Sequence, residues 1–156
     1  MNKYLGKEIE RKFLLTEIPF DLSGYDRVEI KQGYIFSDPA IRLRRAGDTY
    51  YLTVKVKEDR SEYEVSLTEE QFVGLWKKTE PGVVEKTRYL IPLDDGYTAE
   101  VDVYRGHLDG FLTVEVEFPD EAAEAAFVPP PWFGAEVTGD YRYSNAELAR
   151  HGKNGL

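Results

Sequence analysis

The stretch EIERKF, residues 8–13, decides how the chain is to be read. Side chains two residues apart on an extended backbone point to the same side. Glu8, Glu10 and Lys12 therefore share one face, and Ile9, Arg11 and Phe13 share the other. Alternation with period two is the pattern of a half-buried strand and fits a helical face poorly.

The same alternation recurs outward along the chain. Segments 7–15, 27–36, 40–46, 50–57, 61–66, 83–91, 97–104 and 111–118 are rich in Val, Ile, Tyr and Thr and are divided by the turn signals SGYD, SDP, AGD, EPG and LDDG, which predicts eight strands. Their polar faces are sorted by sign: Arg42 and Arg44 in IRLR, Lys55 after Thr53 in LTVK, Glu62 and Glu64 in EYEV, Lys86 and Arg88 in EKTRY, Glu100 and Asp102 in EVDVY, Glu115 and Glu117 in VEVEF. One such pair is an ordinary solvent-facing feature of an antiparallel sheet. Whole strands of one sign are not.

Helices are few. Thr68 and Gln71 form a capping box ahead of FVGLWKK, predicting a helix over 69–78 that EPG stops. Asp120 caps EAAEAAF, and Ser144 with Glu147 opens a short helix near the carboxyl end. Between them VPPPWFG is extended or turning, because proline fixes its own φ and pushes its predecessor out of the helical region. No repeat or linker divides the 156 residues, so residues 1–156 are expected to form one domain.

Composition narrows the chemistry. Lys and Arg number 20 against 29 Asp and Glu, a net charge of −9, which argues against general nucleic-acid or anionic-membrane binding and leaves a small-molecule partner. Cysteine is absent, excluding disulfides, thiolate metal sites and a Cys nucleophile. His107 and His151 are the two histidines; far apart, they support neither an imidazole zinc site nor Ser-His-Asp catalysis. Any metal must be held by carboxylate oxygens. The amino terminus has charges through its apolar stretch and no leader pattern, so a cytoplasmic protein is expected.

Alternation alone allows two closures of the sheet. With the charges outward, Ile9, Phe13, Ile41, Leu43, Leu52, Val54, Val101, Val103, Val114 and Val116 form the core. With the charges inward, they line a cavity while the apolar set packs outward under the helices. A charged interior is tolerable only where opposite charges, metal and ligand satisfy one another.

EIERKF, with its Glu-x-Glu-x-Lys spacing, resembles the signature of the CYTH domain, the triphosphate tunnel metalloenzymes. IRLR, LTVK, KTRY, EVDVY, VEVEF and the terminal EVTGDYRYSNAEL follow in that family's order, covering residues 7–148. The resemblance implies an eight-stranded antiparallel closed β-barrel, mainly β with a few short flanking helices, whose charged face lines a tunnel for Mg²⁺ or Mn²⁺ and a triphosphate. Carried over by motif, Glu8, Glu10, Glu115 and Glu117 are expected metal carboxylates, with Asp102 beside them. Lys12, Arg42, Arg44, Lys55, Lys86 and Arg88 are expected phosphate ligands, joined by Arg142 of GDYRYSN; Glu62, Glu64 and Glu100 match acidic tunnel positions. Glu8, Glu10, Lys12, Glu115 and Glu117 are thereby the catalytic set.

The residue chemistry agrees with that implication. Hard divalent cations prefer oxygen ligands, Arg grips phosphate with a two-pronged fork, and Lys supplies a compact charge. The expected reaction is metal-dependent hydrolysis of a linear triphosphate, inorganic tripolyphosphate first, to pyrophosphate and phosphate. The alternatives are a nucleotide-acting CYTH enzyme, either a class IV-like adenylate cyclase or a thiamine triphosphatase, or a non-catalytic polyphosphate-binding domain. The cyclase relatives carry a His-Phe pair ahead of the motif, which this chain lacks. Trp76, Trp132 and Tyr143 read as packing anchors, and His107 as a loop residue.

Overall fold

The computed structural model describes residues 2–156 of the chain. Nine strands form one antiparallel sheet: β1 (Asn2–Lys7), β2 (Glu10–Leu14), β3 (Asp26–Ser37), β4 (Ala40–Ala46), β5 (Thr49–Lys55), β6 (Ser61–Leu67), β7 (Val84–Pro92), β8 (Thr98–Arg105) and β9 (Leu112–Glu117). Their order is β1-β6-β5-β4-β3-β7-β8-β9-β2. Three helices accompany them: α1 (Glu69–Trp76), α2 (Glu121–Ala126) and α3 (Asn145–His151).

The expected mainly β, antiparallel architecture is present, while the strand count and ladder among the described residues differ from eight strands in a closed barrel. The sheet has nine strands, and its ladder is not closed, because β1 and β2 occupy its two edges without pairing. The cause is local. Gly6 takes φ 87° at a register shift between Tyr4 and Gly6, and the chain then changes partner. The Glu8 N–H donates to the Arg60 carbonyl at 3.0 Å beside β6, whereas the Phe118 N–H donates to the Ile9 carbonyl at 2.8 Å beside β9. The predicted strand 7–15 thus corresponds to β2, and β1, which overlaps it at Lys7 alone, is a further strand at the opposite edge.

The charged face turns inward because the apolar face is covered from outside. Phe13, Val101, Val114, Val116 and Phe118 pack beneath Phe127 and Phe133, the residues that follow α2 and the proline run. Phe13 and Phe133 lie 5.0 Å apart between ring centroids, and Phe118 and Phe127 5.2 Å. Each such side chain contributes roughly 1.5–3 kcal/mol on burial. Arg11, the charge on that outer face, is satisfied there: it forks onto Glu136 at 2.7 and 2.9 Å and donates to the Phe127 carbonyl at 2.9 Å. On the far side of the sheet Trp76 of α1 stacks with Phe72, which meets Tyr50. Trp132 sits edge-on to Phe20 at 5.1 Å and against Phe133 at 4.6 Å, so both tryptophans are packing anchors as expected. The His107 ring nitrogen is tied to the Val83 carbonyl at 2.7 Å.

Helix α3, capped by Ser144, packs Leu148 and Ala149 against Tyr34, Val84, Tyr104 and Leu108. Gly82 is what lets it approach. Its φ is +101°, and a Cβ there would overlap the Ala149 carbonyl. Gly82→Ala is accordingly expected to lose roughly 2–4 kcal/mol from backbone strain and overpacking, read as a lower urea midpoint with unchanged slope. No helix among the described residues is long and apolar enough to cross a membrane.

Candidate functional site

The sheet curls around a cavity of about 440 Å³. Its wall brings together Glu8, Glu10 and Lys12 from the β1–β2 link and β2, Arg42 and Arg44 from β4, Lys55 from β5, Glu62 from β6, Arg88 from β7, and Glu115 and Glu117 from β9. Register explains the convergence: Glu10 stands opposite Glu117, Lys12 opposite Glu115, and Lys55 opposite Glu62.

The acids form a graded cluster. Glu10 hydrogen-bonds both Glu8 and Glu115, and burial followed by the charges of Glu115 and Glu8 pushes its carboxyl up to about 11. Burial also acts on Glu115, but Lys12, Arg88 and Lys86 outweigh it and hold that carboxyl far below the usual range. Glu8 is likewise held below it, the Lys55 charge and the bond from Glu10 overcoming burial. Burial and Glu115 raise Glu117. Glu10 thus keeps its proton between two ionised neighbours, the outcome expected when like charges share a low-dielectric site. Among the described residues no three His, Cys, Asp or Glu stand in ligating geometry. The Glu10 Oε2 atom is buried without a hydrogen-bond partner.

The bases are less fully neutralised. Lys12 Nζ lies 3.7 Å from Glu115 and donates to the Tyr143 carbonyl at 2.6 Å. Arg42 is 3.8 Å from Glu62, and its buried Nε has no partner. Lys55 meets Glu8 at 3.2 Å. Arg44 donates to Gln32 at 3.0 Å; burial, Arg42 and Arg88 press its guanidinium below the usual range. Unspent positive potential of this kind draws an anion.

Several expected site residues lie elsewhere. Lys86 and Asp102 are both fully buried behind the wall, 2.7 Å apart, and Arg88 forks onto Asp102 at 2.8 and 2.9 Å. Both Asp102 oxygens are therefore engaged. Glu100 stands 3.4 Å from Arg88, and burial pushes it up to about 7 although Arg88 opposes. Glu64 shares the face of Glu62 and lies in register with Thr53. Arg142 is turned outward onto Asp140 at 2.6 and 3.0 Å, on the short turn Tyr141–Tyr143 that Asp140 caps. The wall also includes Tyr34 and Arg60, which charge sorting passes over: Tyr34 belongs to the uncharged QGY of β3, and Arg60 to a loop without periodicity.

A curled antiparallel sheet whose inner face sets a carboxyl cluster against a half-neutralised bank of Arg and Lys defines the class of site, a charged cavity enclosed by a sheet. The CYTH domain family model matches residues 6–128, and the chain belongs to the CYTH domain family. It is 46% identical over 147 residues to an inorganic triphosphatase of Nitrosomonas europaea, covering 91% of this chain and 96% of that protein. It is 39% identical over 154 residues to an inorganic triphosphatase of Acetivibrio thermocellus, covering 94% and 96%. A crystal structure of an inorganic triphosphatase superposes with a TM-score of 0.70 at 45% identity, over 94% of this chain and 97% of that one.

Proposed function

We propose that this chain is an inorganic triphosphatase, a phosphoanhydride hydrolase that adds water to tripolyphosphate and releases pyrophosphate and phosphate with the help of a divalent cation, Mg²⁺ or Mn²⁺. The observation that carries the reading is the cavity itself, where a carboxyl cluster and a bank of bases face one another on a chain 46% identical to an inorganic triphosphatase. The fold is read as a functional eight-stranded barrel in which β1 and β2 count as one strand, since the two edges of the sheet are joined through Glu8 and Ile9.

The donor set suits such a cation: it is all carboxylate, with the orphaned Glu10 Oε2 among its oxygens. Glu8, Glu10, Glu115 and Glu117 would hold the ion. When bound, the ion acts as a Lewis acid on phosphoryl oxygen. Arg42, Arg44 and Arg88 clamp the phosphates and Lys12 and Lys55 offset the charge that grows on the departing oxygen. Lys86 and Asp102 act from behind the wall, keeping the Arg88 guanidinium in place. Arg142 would have to leave Asp140 to reach the substrate.

Cation binding must displace the proton on Glu10, because a ligating carboxyl is ionised. With that carboxyl at about 11, Mg²⁺ affinity is expected to rise by about tenfold per pH unit between pH 6 and 9. Calorimetry in buffers of different ionisation enthalpy should report about one proton released per ion.

The reading is tested by phosphate release from tripolyphosphate, ATP and thiamine triphosphate, each with Mg²⁺ and with Mn²⁺. Divalent-dependent release fastest from tripolyphosphate is expected. Cyclic AMP formed from ATP, or no release from any of the three, would overturn it.

A further inference from the structure

Arg60 is the one described non-glycine residue with positive φ, at 59°. That conformation is disfavoured for an L-residue and, outside glycine, clusters at ligand-contacting positions. Two backbone–backbone hydrogen bonds and one to a side chain surround it. The Val56 N–H donates to the Ser61 carbonyl at 2.9 Å, the Ser61 N–H to Asp59 at 2.9 Å, and the Glu8 N–H to the Arg60 carbonyl at 3.0 Å. The loop between β5 and β6 is thereby tied to the residue that begins the acidic cluster.

The side chain of Arg60 is loosely held by comparison with Arg88 and Arg11. It lines the cavity yet remains exposed at its rim, beside the exposed Lys57. Its partners are Glu121 at 3.5 Å, where the side-chain exposures are 46% and 78%, and the less exposed Glu124 at the longer distance of 4.0 Å. Pairs so long and so wet contribute little. Arg88 and Arg11, in contrast, are held by short two-pronged contacts.

The geometry points to Arg60 as a specificity-determining residue that leaves α2 and grips the substrate phosphate lying at the cavity rim. This rests on the triphosphatase reading and adds to it a basis for preferring an inorganic triphosphate. The rim is the exposed side, so an organic group on a triphosphate has to project through it. The phosphate there is then an ester with one fewer ionisable oxygen, and the fork of Arg60 gains less from it than from the free terminal phosphate of tripolyphosphate.

The test uses the full chain. Arg60→Gly removes the side chain while suiting the positive φ, and Arg60→Lys keeps the charge without the fork. For tripolyphosphate, KM is expected to rise about tenfold in Arg60→Gly and less in Arg60→Lys, with kcat within about twofold. For ATP, followed as substrate or competitive inhibitor, the change should stay within about twofold. A Glu121→Ala, Glu124→Ala double variant, which removes only the partners on α2, should leave KM level or lower. An unchanged KM in Arg60→Gly, an equal loss for ATP, or a KM rise matched by the α2 variant would overturn the assignment. Loss of hydrolysis of every triphosphate by the unaltered chain would instead overturn the triphosphatase reading itself.

Discussion

Glu8→Ala, Glu10→Ala protein is expected to release phosphate from tripolyphosphate roughly 10²–10³-fold more slowly than the unaltered chain while remaining folded. The activity loss follows from removing two of the four carboxyls placed at one end of the cavity. The stability expectation follows from the same crowding. Glu10 is held protonated by burial and by the charges of Glu115 and Glu8, so its removal takes away a repulsion, not a support. Beyond the contacts within the carboxyl cluster, the 3.2 Å contact of Glu8 with Lys55 is lost, and both partners are partly exposed, which keeps that loss small. The unfolding free energy from urea titration in chelator should therefore stay level or rise. Glu10→Gln sharpens the comparison, since it copies the neutral carboxyl in shape but cannot ionise for a cation. Unimpaired divalent-dependent turnover in either protein would remove the carboxyl cluster from the mechanism.

The second large effect is expected from Asp102→Asn, and it is an effect on folding. Asp102 is fully buried, accepts two hydrogen bonds from Arg88 and lies 2.7 Å from the equally buried Lys86. Taking away its charge strands two cations in a low-dielectric interior, which costs about 3–5 kcal/mol. The pH dependence identifies the cause. Burial holds Lys86 down to about 7 even while Asp102 opposes it, and without that opposition it falls further. A lysine whose folded value lies below its unfolded one binds fewer protons when folded, so stability rises with pH across the interval between the two values. The deficit of Asp102→Asn, measured by urea unfolding, should be largest near pH 6 and smaller near pH 9, where Lys86 has shed its proton. A deficit independent of pH would mean that shape, not charge, is what Asp102 supplies.

These residues also show what could be read before the tertiary structure. Ten of the wall residues, from Glu8 to Glu117, were legible as charges at alternate positions on strands. Strand spans followed with small errors: 40–46 is matched by Ala40–Ala46, and 61–66 by Ser61–Leu67. The strand β1 ahead of residue 8 was not legible, because the change of hydrogen-bonding partner that separates it from β2 leaves no trace in periodicity. The pairing of Arg142 was not legible, because its motif lies on a turn where the neighbouring Asp140 both caps the backbone and engages the guanidinium. Arg60 escaped notice for the converse reason: its position is set by loop hydrogen bonds, not by alternation.

What the sequence determined by itself was the period, the sorting of charge by strand and the chemical kind of ligand that such a face suits. Which face turns inward was decided only by tertiary structure. Alternation is symmetric under exchange of the two faces of a sheet, so local pattern cannot choose. The choice is made by contacts far apart in the chain, such as Arg11 to Glu136 across 125 residues and Phe13 to Phe133, which cover the apolar face and leave the charged one to enclose the cavity. The same long-range packing divides the charges further, sending Lys86 and Asp102 behind the wall as each other's counter-ions while Arg42, Arg44 and Lys55 remain on it. Burial and partner availability drew that line, and neither is a property of a strand on its own.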